Sequence, residues 1–479
     1  MTTSELVFIP SPGAGHLPPT IELAKLLLHH DHRISVTIII MKLPLEAKHN
    51  TETPASTHRL RFIDIPADDS TKDLLSPYTF LTNLIEYNKP RVANVVRGII
   101  ESHSVRLVGF VVDMFCVAMT DVANQFEAPT YLYFTSSAAT LGLMYYLQAK
   151  RDKEDHDVTE LKDSKSELSI PSYVNFVPAK VLPSVVLDKD GGSKMFLDLA
   201  IGFRKVKGII VNTFQELESH GIESLLTSYG DVPPVFPVGP LLNLKNTTDD
   251  DDGKSGEIMT WLNEQPERSV VFLCFGSMGS FGEEQVKEMA IAIERSGQRF
   301  LWSLRRPPPP PTKEKVEFYP KEYENPEEVL PKGFLERTSS IGKVIGWAPQ
   351  TAVLSHPSVG GFVSHCGWNS TLESIWYGVP IAAWPVYAEQ QLNAFQLVVE
   401  LGMSAEIRID YRNNMRSGGR EMFVTAEEIE SGIRRLMSDV EIRKKVKVMK
   451  EKSRMAVSEG GSSYTTIRHF IDNHLMIND

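Results

Sequence analysis

A chain of 479 residues, 42% hydrophobic and 23% charged, is too long for one ordinary core and too apolar for disorder, so two domains are expected. Its formal charge of −11, with no basic stripe on any predicted helix, excludes a nucleic-acid binder. Cys116, Cys274 and Cys366 stand alone without a CxxC pair, no run of about 18 apolar residues occurs, and Leu6 to Pro10 is too short for a leader, so a soluble cytoplasmic protein is expected.

From the amino end, Leu6 to Ile9 reads as a strand, Pro10 to Pro19 as a Gly/Pro-rich loop, and Thr20 to His29 as a helix. Ser35 to Met41, dominated by β-branched residues, completes a βαβ unit. Short strands recur at Leu107 to Asp113, Thr130 to Phe134 and Gly208 to Asn212, so a parallel α/β sheet follows. Pro233, Pro234, Pro237 and Pro240, then the aspartate run within Asn246 to Gly253, mark an interdomain linker at 243–256. A second α/β series opens with Val270 to Phe275, a strand running into Gly276, Ser277 and Gly279, followed by a helix from Glu283 to Arg295. Pro307 to Pro311 reads as a surface loop of polyproline II character. In the helical carboxyl-terminal stretch, Thr425 and Glu428 have capping-box spacing, and Gly460 and Gly461 form a break.

Two places carry chemistry on physical grounds. His16 closes the loop PSPGAGH at the carboxyl end of the first parallel strand, where open α/β sheets place their ligands, and Asp113 ends another strand of the same sheet. A carboxylate there would fix the imidazole tautomer and stabilise the imidazolium, leaving the second ring nitrogen to act as a base. Farther on, Gly360 to Ser364 reads as a strand running into His365, Cys366 and Gly367, with a helix over Asn369 to Tyr377. A helix amino terminus after a strand is an anion site, here suited to a diphosphate.

The segment WAPQTAVLSHPSVGGFVSHCGWNSTLESIWYGVPIAAWPVYAEQ, from Trp347 to Gln390, resembles along its whole length the donor-binding signature of plant UDP-dependent glycosyltransferases of secondary metabolism. PSPGAGH, the aspartate after the strand near 110, the mid-chain linker and FGS at Phe275 to Ser277 fall in the same family order. The resemblance implies family 1 and the GT-B fold: α/β, with two Rossmann-like domains whose parallel sheets face across a cleft. It places an acceptor domain at 1–242, a UDP-sugar domain at 257–455 and a helix at 456–479 returning to the first domain. It further implies an inverting, metal-independent transfer of glucose from UDP-glucose to a hydroxyl of a small lipophilic acceptor, giving a β-glucoside. Flavonoids and other phenolics are the first choice of acceptor and terpenoid alcohols the second, and a monomer using no cofactor besides the donor is expected.

By the family pattern His16 is the base and Asp113 its partner. His365, Asn369 and Ser370 meet the phosphates with help from Ser277. Trp347 stacks on the uracil, the Ala348 backbone reads the base edge, and Gln350 and Glu373 take the ribose hydroxyls. Trp368, Glu389 and Gln390 hold the sugar, with Gln390 offering it both a carbonyl and an amide. Thr135 is placed at the sugar, with Ser136 as the alternative, and the acceptor pocket is expected near Ser11, Phe80, Tyr145 and Phe203. Three other readings stand against this one. Asp188, Lys189 and Asp190 after an apolar run resemble a metal-holding Asp-x-Asp pair. A non-catalytic UDP-sugar binder would lack the dyad, and a nicotinamide-dependent oxidoreductase would need a third glycine that PSPGAGHLPP does not supply.

Overall fold

The computed structural model describes residues 4–13, 15–43, 53–68, 80–103, 105–244, 253–309, 319–412 and 422–476. Two compact units result: residues 1–176, 185–243 and 455–479 form the first, and 177–184 with 244–454 form the second.

The first unit is built on β1 (Ser4–Ile9), β2 (Ile34–Met41), β3 (Leu60–Ile65), β4 (Arg106–Asp113), β5 (Thr130–Phe134), β6 (Gly208–Val211) and β7 (Val235–Pro237). They pair in the order β3-β2-β1-β4-β5-β6-β7, every neighbouring pair running parallel. Every residue of β1 and β2 is buried, as expected of a sheet covered on both faces. The chain reverses direction across the sheet between β1 and β4, which opens a crevice at their carboxyl ends. The helix Leu17–His30 begins three residues earlier than its sequence pattern suggests, because Pro18 and Pro19 occupy its first turn, where a missing N–H costs nothing. His16 is thereby its N-cap residue. At the far end of the chain, Ile467, Phe470 and Ile471 bury themselves in the core of this unit, and Tyr131 Oη donates to the His474 carbonyl at 2.7 Å.

The second unit repeats the plan with β8 (Val270–Cys274), β9 (Arg299–Ser303), β10 (Gly342–Ile345), β11 (Val359–Ser364), β12 (Ile381–Ala383) and β13 (Ser404–Glu406). Their order is β10-β9-β8-β11-β12-β13, again with parallel registers, so the crevice lies at the carboxyl ends of β8 and β11. Phe275, Phe281, Trp384 and Tyr411 pack ring against ring and support the loops that follow β8 and β12. The capping box forms as the sequence suggests, Thr425 Oγ1 accepting from Glu428 N–H at 3.3 Å and Glu428 Oε2 from Thr425 N–H at 3.0 Å.

Residues 245–252 of the expected linker lie outside the described residues, and 253–256 already belong to the helix Gly253–Asn263. Pro310 and Pro311 also lie outside, whereas Pro307 to Pro309 have no regular structure. The short segment Val177–Ser184 sits with the second unit because Arg412 grips it, donating to the Lys180 carbonyl at 2.6 Å and to Ser184 Oγ at 3.1 Å. Among the described residues no helix is long and apolar enough to cross a membrane.

Candidate functional site

In the first unit, His16 and Asp113 meet at the crevice although 97 residues separate them. His16 Nδ1 lies 2.8 Å from Asp113 Oδ2, and the second carboxylate oxygen accepts from Phe115 N–H at 3.1 Å. A buried carboxylate can only accept, so Nδ1 carries the proton and Nε2 the lone pair. The Asp113 side chain is fully buried while that of His16 is 26% exposed, so the acid is sheltered and the base can meet a ligand. Phe115 sets its ring edge-on to the imidazole at 5.5 Å, fixing the ring's tilt. The buried negative charge is felt nearby: burial first, then Asp113, pushes the Cys116 thiol and the Tyr133 phenol well up, so both stay neutral.

Thr135, assigned to the sugar, stands with Oγ1 at 3.3 Å from His16 Nδ1, beside the dyad. Tyr145 and Phe203 do not line an open pocket: both are 0% exposed, Phe203 packing edge-on against Phe134 and Tyr145 lying under the Arg204 guanidinium. Their rings fill the core because the helices that carry them, Ala138–Glu154 and Gly192–Phe203, turn them inward. Ser11 is buried as well, and Phe80 is partly exposed.

In the second unit, the loops after β8 and β11 touch each other. A Cβ built on Gly276 would stand 2.5 Å from His365 Nε2, and one on Gly367 2.6 Å, so only glycine lets both turns close on the imidazole. Gly276 also has φ +70°, which favours glycine a second time. Between His365 and Gly367, Cys366 holds φ +60°, and Ala388 in the loop after β12 holds φ +56°. Such conformations are unfavourable for residues with a Cβ and collect at ligand sites. The helix Trp368–Tyr377 then starts at Gly367, with its ladder opening on the Thr371 N–H to Gly367 carbonyl bond, so the amides before it are directed out of the helix end.

Burial, reinforced by the neighbouring Arg305 cation, lowers the His365 imidazole to about 3, so it is neutral and can act as an N–H donor but not as a charge. Its Nδ1 has no hydrogen-bond partner among the described residues. Gln350 Nε2 donates to Ser370 Oγ at 2.9 Å and to Glu373 Oε2 at 2.7 Å, which brings together three of the residues assigned to ribose and phosphate. Burial raises the Glu373 carboxyl to about 7, opposed in part by that Gln350 bond. Trp347 is 56% exposed, so it is no core aromatic, and its backbone N–H is anchored on Glu322 Oε1 at 3.0 Å. Ala348 and Trp368 are buried, Asn369 lies in the first turn of the helix Trp368–Tyr377, and Glu389 is the N-cap residue of the helix Gln390–Phe395.

Gln390 differs from expectation. Its carbonyl does not reach out to a ligand but accepts from the backbone N–H groups of Val386 at 2.9 Å and Tyr387 at 3.0 Å. The loop after β12 turns tightly enough to leave those two amides unpaired by any strand, and the side chain supplies the acceptor they need. Only its amide group is left to face a sugar.

Sequence reasoning missed Arg305. It stands two residues beyond the end of β9, again at the carboxyl edge of the sheet, and that position is the signal that points to it. The carboxylate of Asp188, considered as a metal ligand, accepts from Gly192 N–H at 2.8 Å and so closes the turn before the helix Gly192–Phe203.

Residues 212–420 match a family profile described as UDP-glucoronosyl and UDP-glucosyl transferase. UDP-glycosyltransferase 71E1 of Stevia rebaudiana is 70% identical over 474 residues, spanning 99% of each chain. UDP-glucose flavonoid 3-O-glucosyltransferase 6 of Fragaria ananassa is 51% identical over 485 residues and 98% of each chain. Among solved structures, a UGT transferase from Siraitia grosvenorii in complex with UDP superposes with a TM-score of 0.86 at 46% identity, covering 98% of this chain and 99% of that one. Medicago truncatula UGT71G1 complexed with UDP-glucose gives a TM-score of 0.84 at 41% identity, covering 99% and 98%.

Proposed function

We propose, given that the chain belongs to the plant family 1 UDP-glycosyltransferases and has their two parallel-sheet GT-B domains, that it transfers glucose from UDP-glucose to a hydroxyl of a small lipophilic acceptor with inversion. The observation that carries this reading is the 2.8 Å His16–Asp113 pair at the crevice of the first sheet, matched by the anion-type turn around His365 at the corresponding crevice of the second.

The acceptor hydroxyl gives its proton to His16 Nε2 as its oxygen forms the new bond to the anomeric carbon. The bond from that carbon to the β-phosphate oxygen breaks, and UDP leaves with the electron pair. Asp113 stabilises the imidazolium formed. Charge growing on the leaving diphosphate is met by the helix end at Gly367 to Ser370, by the Ser277 turn and by the neutral His365 N–H. On this reading the first domain, through residue 242, receives the acceptor and the second binds the donor, and no divalent ion takes part. Trp347 and Ala348 would hold the base, Gln350 and Glu373 the ribose, and Trp368, Asn369, Ser370, Glu389, Gln390 and Thr135 the sugar diphosphate. Phenolic acceptors such as flavonoids are preferred, a choice supported by the name of the Fragaria relative, with terpenoid alcohols second.

The test is product analysis: UDP-glucose and a mixed panel of phenolic and terpenoid acceptors, in excess EDTA, read by mass spectrometry and by the coupling of the anomeric proton. A β-glucoside formed at the same rate with and without EDTA is expected. An α-linked product, or activity lost to EDTA and restored by Mg²⁺, would overturn the inverting, metal-independent reading.

The two-sided use of Gln390 gives a separate expectation. Gln390→Glu keeps the acceptor for the Val386 and Tyr387 amides and removes only the donor that faces the sugar, whereas Gln390→Ala removes both. Turnover with UDP-glucose should fall roughly 10-fold in the first and roughly 100-fold in the second, as one and then two polar contacts are lost. A parent-like rate in Gln390→Glu beside a loss in Gln390→Ala would mean that Gln390 shapes the loop and does not touch the sugar.

A further inference from the structure

The donor half-site has a need that its assigned residues do not meet. A diphosphate leaving group carries several negative charges, yet the histidine nearest to it is held neutral, and the other assigned contacts are amides, hydroxyls and a helix end. Arg305 stands behind the turn that closes on this histidine. It is 9% exposed and places Nη1 2.9 Å from the Ser277 carbonyl, while Nη2 hydrogen-bonds the Gly276 carbonyl and reaches the Gly279 carbonyl at 3.3 Å. Three carbonyl oxygens of one short turn are thus drawn to the guanidinium side.

A peptide unit whose carbonyl is pulled one way turns the following N–H the other way, since the two groups are trans across a planar bond. With the carbonyls of Gly276, Ser277 and Gly279 on Arg305, the amides that follow them are turned off the guanidinium side. Gly276 itself touches the His365 imidazole, so the guanidinium, the turn and the histidine form one contiguous stack. Carbonyls donate no counter-charge, and among the described residues no carboxylate lies within ion-pair distance of Arg305. Glu322 opposes the charge only from beyond ion-pair distance, so the buried guanidinium has no paired counter-charge. The planar fork matters as much as the charge, because it reaches separate carbonyls with fixed geometry, which an ammonium does not do.

We infer that Arg305 is the positioning residue of the diphosphate half-site: it orients the Gly276–Gly279 turn toward the diphosphate and supplies the fixed positive charge that a metal ion would otherwise provide. The inference rests on the proposed function, since it presupposes that UDP binds here. It also explains why burial and a nearby cation act together on His365, whose neutrality leaves the charge to Arg305.

The experiment compares affinities for uridine, UMP and UDP in the parent chain, in Arg305→Lys and in Arg305→Met, by calorimetry, with thermal midpoints to confirm folding. Uridine binds through the base and ribose only, so its affinity should stay within about 3-fold in both variants. UDP affinity should fall about 100-fold in Arg305→Met and about 10-fold in Arg305→Lys, where the charge survives and the fork is lost. In Arg305→Met the imidazole of His365, followed by NMR, should titrate at higher pH than in the parent, a change that a merely structural loss would not produce. An unchanged ratio of UDP to uridine affinity in Arg305→Met, or equal losses for all three ligands, would overturn the inference while the proposed function stands. Should Arg305→Met fail to fold, Arg305→Lys decides alone, through the same ratio. A parent chain that binds none of the three ligands would instead overturn the proposed function, and the inference with it.

Discussion

Replacing His16 by Ala is expected to lower turnover with an aliphatic alcohol by about 10² to 10⁴ while leaving UDP affinity within about 2-fold. The two readouts separate because His16 belongs to the first unit and the anion turn to the second. An alcohol has no means of shedding its proton at neutral pH, so without Nε2 the attacking oxygen would carry a positive charge into the transition state. A phenol with an acidic hydroxyl is partly ionised already, and its rate should fall least. The ratio of phenol to alcohol rates should therefore widen in His16→Ala, and this widening distinguishes a lost base from a general distortion. Asp113→Asn should fall between the parent and His16→Ala. The amide can still accept from Nδ1 at the 2.8 Å position, but it provides no charge to stabilise the imidazolium and also permits the wrong tautomer. A His16→Ala chain that glycosylates an alcohol at the parent rate would exclude His16 as the base.

Much of this arrangement is legible in the chain, and what escapes has definite causes. The strands were readable because a sheet buried on both faces demands unbroken apolar runs such as Val108 to Val112 and Val270 to Phe275. The crevice residues were readable because each follows such a run. The start of the helix at Leu17 was not, since a Pro-Pro pair signals a loop unless it falls in a first turn. Nor was the allegiance of Val177–Ser184, which is decided by Arg412, a residue more than two hundred positions away. Tyr145 and Phe203 misled because aromatic residues beside a predicted site look the same in sequence whether they face a ligand or a core. Arg305 and the loop-bracing carbonyl of Gln390 escaped for a common reason. Their partners are backbone atoms, which every residue owns, so no side-chain pattern announces the pairing.

The last expectation concerns acid and alkaline stability, where two buried groups of the donor half-site act in opposite directions. His365 titrates near 3 in the folded chain, against an ordinary value of 6.5. Above pH 6.5 it is neutral whether folded or unfolded and has no effect. As pH falls from 6.5 toward 3 the unfolded chain takes up a proton that the folded chain refuses, and stability is lost at up to about 1.4 kcal/mol per pH unit. Glu373 runs the other way, being raised to about 7 from 4.5. Its ionised form is disfavoured in the folded chain, so stability is lowest above pH 7 and recovers as pH falls toward 4.5. Between 4.5 and 6.5 the two slopes cancel, so this pair adds no net pH dependence to the parent's thermal midpoint there, and below about 4.5 the His365 loss stands alone. Each substitution should unmask the other group. Glu373→Gln should be more stable than the parent above pH 7 and should lose stability steadily from 6.5 downward. His365→Gln should instead gain stability as pH falls from 7 to 4.5. The half-buried imidazoles of His30, His356 and His474, lowered by desolvation, and the surface carboxylates lowered by their arginine partners are common to all three proteins and drop out of the differences. Parallel pH profiles for the parent and both variants would show that neither group is titrating inside the folded site.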